Sequence, residues 1–304
     1  MSRHVLLGGN GAAGRETAGE LLRRGLEVSS FGRRRSSVAG VESIVGDVLD
    51  ADAVRRALAG ADVAYLVVGL PYRLAVWRRD WPVVMRNAIA AARASGAHLV
   101  FLDNVYSYGR VRGPMTERTP IRPSSRKGEV RAGLLRMLDE ARSAGLVATV
   151  ARSADFYGPG AGTSVFNRMA VDNVVRGKRP VWLFDASKPH SMTYTPDIGR
   201  ALAVIGTDER AAGKTWHLPT AAPARTGRQY VQLLGGGEVK VMSVAMMRVG
   251  GIFMPIAHET IELAYQNIED YVFDSSAFEE AFGVTPTSYE EGIARTLEHA
   301  RRAA

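Results

Sequence analysis

A glycine loop set between an apolar strand and an amphipathic helix constrains this chain more than any other feature. His4 to Leu7 is a short apolar run, Gly8-Gly9-Asn10-Gly11-Ala12-Ala13-Gly14 follows it directly, and Ala12 to Arg24 carries apolar residues at helical spacing until Gly25 stops it. Without side chains a backbone can approach a phosphate closely, and the free N–H groups of a helix N-terminus attract its charge. Gly8, Asn10, Gly11, Ala12, Ala13 and Gly14 are therefore candidate contacts for the pyrophosphate of a dinucleotide.

The same rhythm continues. Val28 to Phe31 and Ser43 to Val45 read as strands, Asp50 to Ala59 as a helix closed by Gly60, and Val63 to Val68 as a nearly all-apolar run. A helix ending near Ser95-Gly96, a strand Leu99 to Leu102, a helix Lys127 to Ala144 and a strand Val147 to Ala151 follow. Strands that are apolar on both faces belong in a parallel sheet covered by helices. The pattern predicts an α/β fold, a Rossmann-type doubly wound parallel sheet. Residues 1–152 are expected to form the dinucleotide-binding domain, completed by about residues 190–218. Past Arg152 the alternation loosens into a Gly/Pro loop at Gly158 to Gly162, a helix around Phe166 to Arg176, a short strand Val181 to Phe184, a helix Ile198 to Ile205 and a last strand Trp216 to Leu218. Residues 153–189 and 219–304 are expected to form a smaller, mainly helical C-terminal substrate lobe, with Ser288-x-x-Glu291 as a capping box for the terminal helix.

Composition removes several classes. With no cysteine there is no disulfide or thiolate site, and the six scattered histidines lack metal-helix pairing, so no metal is expected. No apolar stretch is long enough for a bilayer and the first residues lack a signal-like core, which leads us to expect a cytoplasmic protein with no membrane partner. The net charge of +8 is spread along the chain without an aromatic platform, which reads as solvated helix faces and predicts no nucleic-acid partner.

After the second strand the chain reads Phe31-Gly32-Arg33-Arg34-Arg35-Ser36, where folds that select NAD carry an acid for the ribose 2′-hydroxyl. Arg33 and Arg34 suit a 2′-phosphate instead, so the expected cofactor is NADP(H). Asp47 and Val48 follow the third strand beside the expected adenine position, and Val68 and Gly69 end the fourth.

These residues resemble the extended short-chain dehydrogenase/reductases, also called the NAD-dependent epimerase/dehydratase family. The family's G-x-x-G-x-x-G is met by Gly8, Gly11 and Gly14; Arg152 to Gly160 resembles its R-x-x-x-x-Y-G-P-G segment; Thr193-Tyr194-Thr195-Pro196-Asp197-Ile198 resembles its V-x-D-V block; and Asp274 with Phe282 to Pro286 and Glu291-Gly292-Ile293 resembles its ending. The resemblance departs at the catalytic tetrad. In Pro123-Ser124-Ser125-Arg126-Lys127-Gly128-Glu129-Val130-Arg131, Lys127 stands where the family has its acid/base tyrosine and Arg131 where it has its lysine. Asn104 or Val105 stands at the serine, Trp81 at or near the asparagine, and His190 at the arginine that clamps sugar-nucleotide diphosphates.

From these departures the expected activity is that of an NADPH-dependent ketoreductase on a small apolar or aromatic carbonyl substrate, possible without the usual pair if the substrate assists. Proton-transfer candidates are Lys127, Tyr106, Ser107, Tyr108 and Asn104; Arg131 would hold the nicotinamide ribose; and Tyr72, Trp77, Trp81, Phe156, Tyr157 and His190 would face the substrate. A non-catalytic NADP-binding sensor, and an isomerase or epimerase using transient oxidation, are the alternatives. A monomer or a homodimer paired through the helices near Trp81 to Ser95 and Lys127 to Ala144 is expected.

Overall fold

The computed structural model describes residues 2–250 and 255–304. Its centre is a parallel sheet built from β1 (Arg3–Leu7), β2 (Glu27–Gly32), β3 (Glu42–Val45), β4 (Val63–Leu66), β5 (His98–Asp103) and β6 (Ala148–Arg152). The order is β3-β2-β1-β4-β5-β6, and a seventh strand, Thr215–His217, pairs in parallel with β6. Strand order reverses between β1 and β4, which both pair with neighbours on opposite sides, and the crevice outside their carboxyl ends is where such sheets bind ligands.

Helices cover both faces because the strands are apolar on both. α1 (Ala12–Arg23) and Thr195–Thr207 pack on one side, where Leu6, Leu21, Tyr65, Val100, Ile198 and Leu202 form a buried cluster. α2 (Ala51–Ala57), α3 (Leu74–Ser95) and α4 (Arg126–Ser143) cover the other, over Val5, Phe31, Leu66, Val84, Phe101 and Leu138. The boundaries follow local chemistry. Asp50 caps α2 through the Asp52 and Ala53 amides, Ser125 caps α4 through the Gly128 amide, and Gly96 ends α3 at φ 72°.

The remaining chain forms a lobe with its own aromatic core of Phe166, Trp182, Tyr194, Tyr230 and Tyr289. The helix expected around Phe166 to Arg176 begins as a π-helical turn over Asn167–Val171 and tightens into Asp172–Val175. Ser288 caps the terminal helix Tyr289–Ala303 by accepting from the Glu291 amide, whereas the complete reciprocal box forms at Thr226 and Gln229. β7 (Asp155–Tyr157) and β8 (Pro189–His190) lead from the sheet into this lobe, each pairing with a further short strand. A segment of short helices, α5 (Pro255–Ile261) and α6 (Tyr265–Ile268), returns across the mouth of the sheet. No described helix is long and apolar enough to cross a membrane.

Candidate functional site

The glycine loop leaves the end of β1 as a close-packed turn. A Cβ on Gly8, at φ +99°, would lie 2.5 Å from the Val68 Cα, and one on Gly14 would lie 2.7 Å from the Gly9 Cα and 2.8 Å from the Gly8 carbonyl. Gly11 donates its amide to the Gly8 carbonyl at 3.0 Å and stands at the N-cap of α1 with no capping side chain. By helix geometry the first amides of α1 then have no carbonyl one turn back, so they remain available to an anion. Val68 belongs to this turn through its contact with Gly8, and Gly69 beside it is exposed.

The neighbouring loops meet the turn at the same edge of the sheet. Asn10 donates through Nδ2 to the carbonyls of Arg34 and Arg35, at 3.2 and 2.8 Å, and its Oδ1 accepts from the Ser37 amide at 3.0 Å. Asn10 is thus a strut that fixes the basic loop after β2, which presents Arg33 and Arg34 to solvent. Asp47 accepts from the Leu49 amide at 3.0 Å and remains exposed; Val48 is buried and its carbonyl takes the Asn87 amide at 2.9 Å. The geometry fits a dinucleotide: a glycine cradle that any Cβ would fill, open helix amides and cationic side chains one strand away.

Where the resemblance places the tyrosine and lysine, the structure holds two ion clusters. The Lys127 side chain is 0% exposed, and Nζ donates to the Glu259 side chain, to the Glu259 carbonyl at 2.8 Å and to Glu262 Oε1 at 2.8 Å. The same carboxylates accept the Leu74 amide at the start of α3 and the Arg126 amide at the start of α4, each at 2.9 Å. Lys127 therefore neither faces solvent nor presents a free ammonium to a substrate. Arg131 donates Nε to Asp103 Oδ1 at 2.7 Å and stacks 4.7 Å from the Trp81 ring, while Arg152 holds the other Asp103 oxygen at 3.0 Å. The ribose-holding role expected of Arg131 gives way to a buried pairing at the end of β5.

The other expected proton donors are also committed or enclosed. Tyr108 contacts the Thr116 carbonyl at 3.0 Å, His217 Nε2 at 2.7 Å and the Arg152 guanidinium, all in the interior. Asn104 accepts from the Tyr106 amide at 3.1 Å and shapes the turn there, and the Ser107 hydroxyl is buried without a partner among the described residues. Trp81 lies in the core beneath α3 and α4, edge-on to Phe101, and Tyr157 is buried against Phe166, Tyr194 and Tyr289; both are corrected from substrate contacts to packing residues. Phe156 is half-buried against the helices of the first face. Trp77 is buried too, but it stacks on Tyr106 at 6.1 Å and meets Tyr72 edge-on at 5.6 Å, so it backs a tyrosine pair lying beside Lys127.

His190 does reach a polar cluster. Its Nε2 lies 3.0 Å from Asp155 Oδ2, its Nδ1 lies 3.1 Å from the Gln266 carbonyl, and its ring stacks on Tyr271 at 4.3 Å. Burial holds the Tyr106 phenol well above the ordinary tyrosine range and the Asp155 charge adds to it; burial acts likewise on Tyr271, again with Asp155 contributing. Asp155, Glu259, Glu262, Tyr265 and Tyr271 were not among the sequence candidates. Asp155 lies inside the quoted Arg152 to Gly160 segment, where its charge was the available signal; nothing local marks the others.

A seven-stranded, doubly wound parallel sheet with a glycine cradle at its switch point defines a Rossmann-type dinucleotide-binding protein. Residues 4–217 match the profile of the NAD dependent epimerase/dehydratase family, and the chain belongs to that family. Among curated proteins it is similar to dTDP-glucose 4,6-dehydratase of Mycobacterium tuberculosis, with 28% identity over 207 residues, 63% of this chain and 62% of that protein. The match thus spans less than two thirds of the relative. Among solved structures it resembles the NAD complex of Thermus thermophilus UDP-glucose 4-epimerase, at 21% identity and a TM-score of 0.80 over 99% of this chain and 100% of the other. It also resembles the dTDP-glucose 4,6-dehydratase DesIV of Streptomyces venezuelae, at 20% identity and a TM-score of 0.81 over 99% and 97%. At such identities the structural likeness establishes the fold.

These relatives overturn the expected ketoreductase. They are a dehydratase and an epimerase of sugar nucleotides, which favours the isomerase/epimerase alternative over reduction of an apolar carbonyl. The apolar-substrate inference also leaned on Trp81 and Tyr157, which the fold uses for packing.

Proposed function

We propose that this protein binds a nicotinamide dinucleotide at the glycine loop, preferring the 2′-phosphorylated form, and isomerises or dehydrates a sugar-nucleotide-type substrate by taking hydride from one hydroxyl-bearing carbon and returning it to that carbon or, after loss of water, to another. Family membership and the named relatives support the reaction class. The observation that carries the proposal is the cradle in which Gly8 and Gly14 leave no room for a Cβ at the switch point. When bound, the nicotinamide supplies a reversible hydride acceptor. The chain's own part is to bind and orient: Gly11 and the first amides of α1 take the pyrophosphate, and Arg33 and Arg34 take the 2′-phosphate.

The test has two steps. Calorimetric titration should give tighter binding of NADP than of NAD, with Arg33→Ala losing roughly tenfold to hundredfold of that preference, as befits a charge-assisted hydrogen bond of about 1.5–3 kcal/mol. The protein loaded with cofactor is then incubated with dTDP-glucose or UDP-glucose and followed by NMR. Formation of an epimer or a 4-keto-6-deoxy product without net cofactor consumption is expected. Stoichiometric consumption of cofactor, or no binding of either dinucleotide, would refute the reading.

A further inference from the structure

His190 lies between two acceptors, its Nδ1 3.1 Å from the Gln266 carbonyl and its Nε2 3.0 Å from Asp155 Oδ2. A hydrogen on Nε2 ties that carboxylate oxygen to a ring the fold holds still. His190 is the buried partner, its side chain 4% exposed, whereas that of Asp155 is 43% exposed. The ring is held by Tyr271 stacked at 4.3 Å and by the edge of Trp182 at 5.9 Å, and its backbone carbonyl accepts the Tyr230 hydroxyl at 2.7 Å. Asp155 is fixed in turn by its amide, which donates to the Tyr271 hydroxyl at 3.2 Å.

With Oδ2 engaged by His190, the other carboxylate oxygen has no hydrogen-bond partner among the described residues, and the side chain is 43% exposed. The phenols that feel its charge are Tyr106 from the turn after β5, Tyr72 from the loop before α3, Tyr265 from α6, and Tyr271. All are held above the ordinary phenol range, chiefly by burial, so they stay neutral and do not take the substrate's proton as a base. Among the described residues His190 is the side chain that Asp155 pairs with. Lys127 and Arg131, at the positions where the resemblance expects the acid/base machinery, are engaged by Glu259, Glu262 and Asp103.

We propose that Asp155 is the general base and acid of this chain and that His190 is its positioning residue, an inference that rests on the reaction class proposed above. In an isomerisation the substrate O–H bond would break with its proton passing to Asp155 Oδ1, a bound nicotinamide supplying the acceptor for the carbon's hydrogen and its electron pair. In the reverse step the Asp155 O–H bond would break and return the proton to the carbonyl oxygen as hydride returns to that carbon. His190 holds Oδ2 throughout and leaves Oδ1 to the substrate.

The pair is tested first without any substrate, by nitrogen-15 NMR of the imidazoles in the full-length protein. The His190 ring nitrogen facing Asp155 should carry the hydrogen of the contact, and Asp155→Asn should shift its resonance. A His190 ring whose nitrogen resonances are the same in the wild type and in Asp155→Asn would overturn the pairing. Turnover of dTDP-glucose and UDP-glucose is then compared across variants whose NADP affinity has been checked by calorimetry. Asp155→Asn should lose about 10²–10⁴-fold in turnover with cofactor affinity unchanged. His190→Gln, which can still donate to Oδ2, should retain far more activity than His190→Ala. An active wild type matched by Asp155→Asn overturns the assignment of Asp155 alone, whereas a wild type that binds cofactor but converts neither sugar nucleotide overturns the reaction class and the catalytic role with it.

Discussion

Removing the Asp103 carboxylate should be far more damaging than removing one of the arginines it holds. Asp103 is 0% exposed and is shared by Arg131 and Arg152, whose side chains are 4% and 3% exposed. Arg131 binds one oxygen through Nε at 2.7 Å, and Arg152 binds the other through Nη2 at 3.0 Å and Nε at 3.2 Å. In Asp103→Asn both guanidinium groups lose their counter-charge, and the new amide points N–H donors at one of them. Breaking a buried pair by removing one partner costs about 3–5 kcal/mol, and since two cations depend on Asp103 we expect the upper end. That approaches the entire stability of a marginal domain, about 5–15 kcal/mol. Arg131→Met leaves Asp103 and Arg152 as a balanced pair, and its thioether replaces the guanidinium against Trp81 and Phe101. Its cost should stay below about 2 kcal/mol, because a buried charge is exchanged for an apolar group of similar length. Urea unfolding followed by circular dichroism reads both costs, and calorimetry with NADP reads function. Arg131→Met should bind cofactor normally. If Asp103→Asn proved as mild as Arg131→Met, the charge argument would be wrong; if Arg131→Met kept its stability but lost tenfold or more of cofactor affinity (roughly one charge-assisted bond), Arg131 would serve the ribose after all.

Two further outcomes follow from the geometry. Gly14→Ala should abolish measurable cofactor binding while the protein still unfolds cooperatively, since its Cβ would sit 2.7 Å from the Gly9 Cα and must push the phosphate loop itself; dinucleotide affinity within twofold of wild type (roughly 0.4 kcal/mol) would mean the loop holds no phosphate. Burial, with Arg142 adding, lowers the His98 imidazole to about 4, so below about 6.5 the unfolded chain binds a proton that the folded one does not, and stability falls as pH drops from there through about 4. His98→Gln, which can keep the Thr149 contact, should remove about 1.4 kcal/mol per pH unit from that slope, as urea midpoints between these limits would read, and an unchanged slope would refute the assignment.

What the sequence made legible was local. The glycine turn, the apolar strands and the acid-free turn at Arg33 to Arg35 announce themselves because each is a pattern within a few residues whose physics does not depend on the rest of the chain. What it hid was long-range. Lys127 meets a carboxylate 132 residues away, and no spacing rule could have paired it with Glu259. Trp81 and Tyr157 occupy positions from which a side chain can face either a cleft or a core, and the choice is made by α4 in one case and by the C-terminal helix in the other. The charges at the expected catalytic positions make sense once those partners are seen. A lysine in a buried position requires anions, and Glu259 and Glu262 supply them while also capping the N-termini of two helices. An arginine one turn further along α4 requires another, and Asp103 supplies it. Each cation at these two positions is therefore matched by a carboxylate held elsewhere in the fold, which makes the region a structural clamp between sheet, helices and returning segment. A clamp with satisfied charges cannot exchange a proton without breaking itself, and that is the physical reason for proposing proton transfer at Asp155, whose carboxylate, among the described residues, keeps an oxygen without a hydrogen-bond partner.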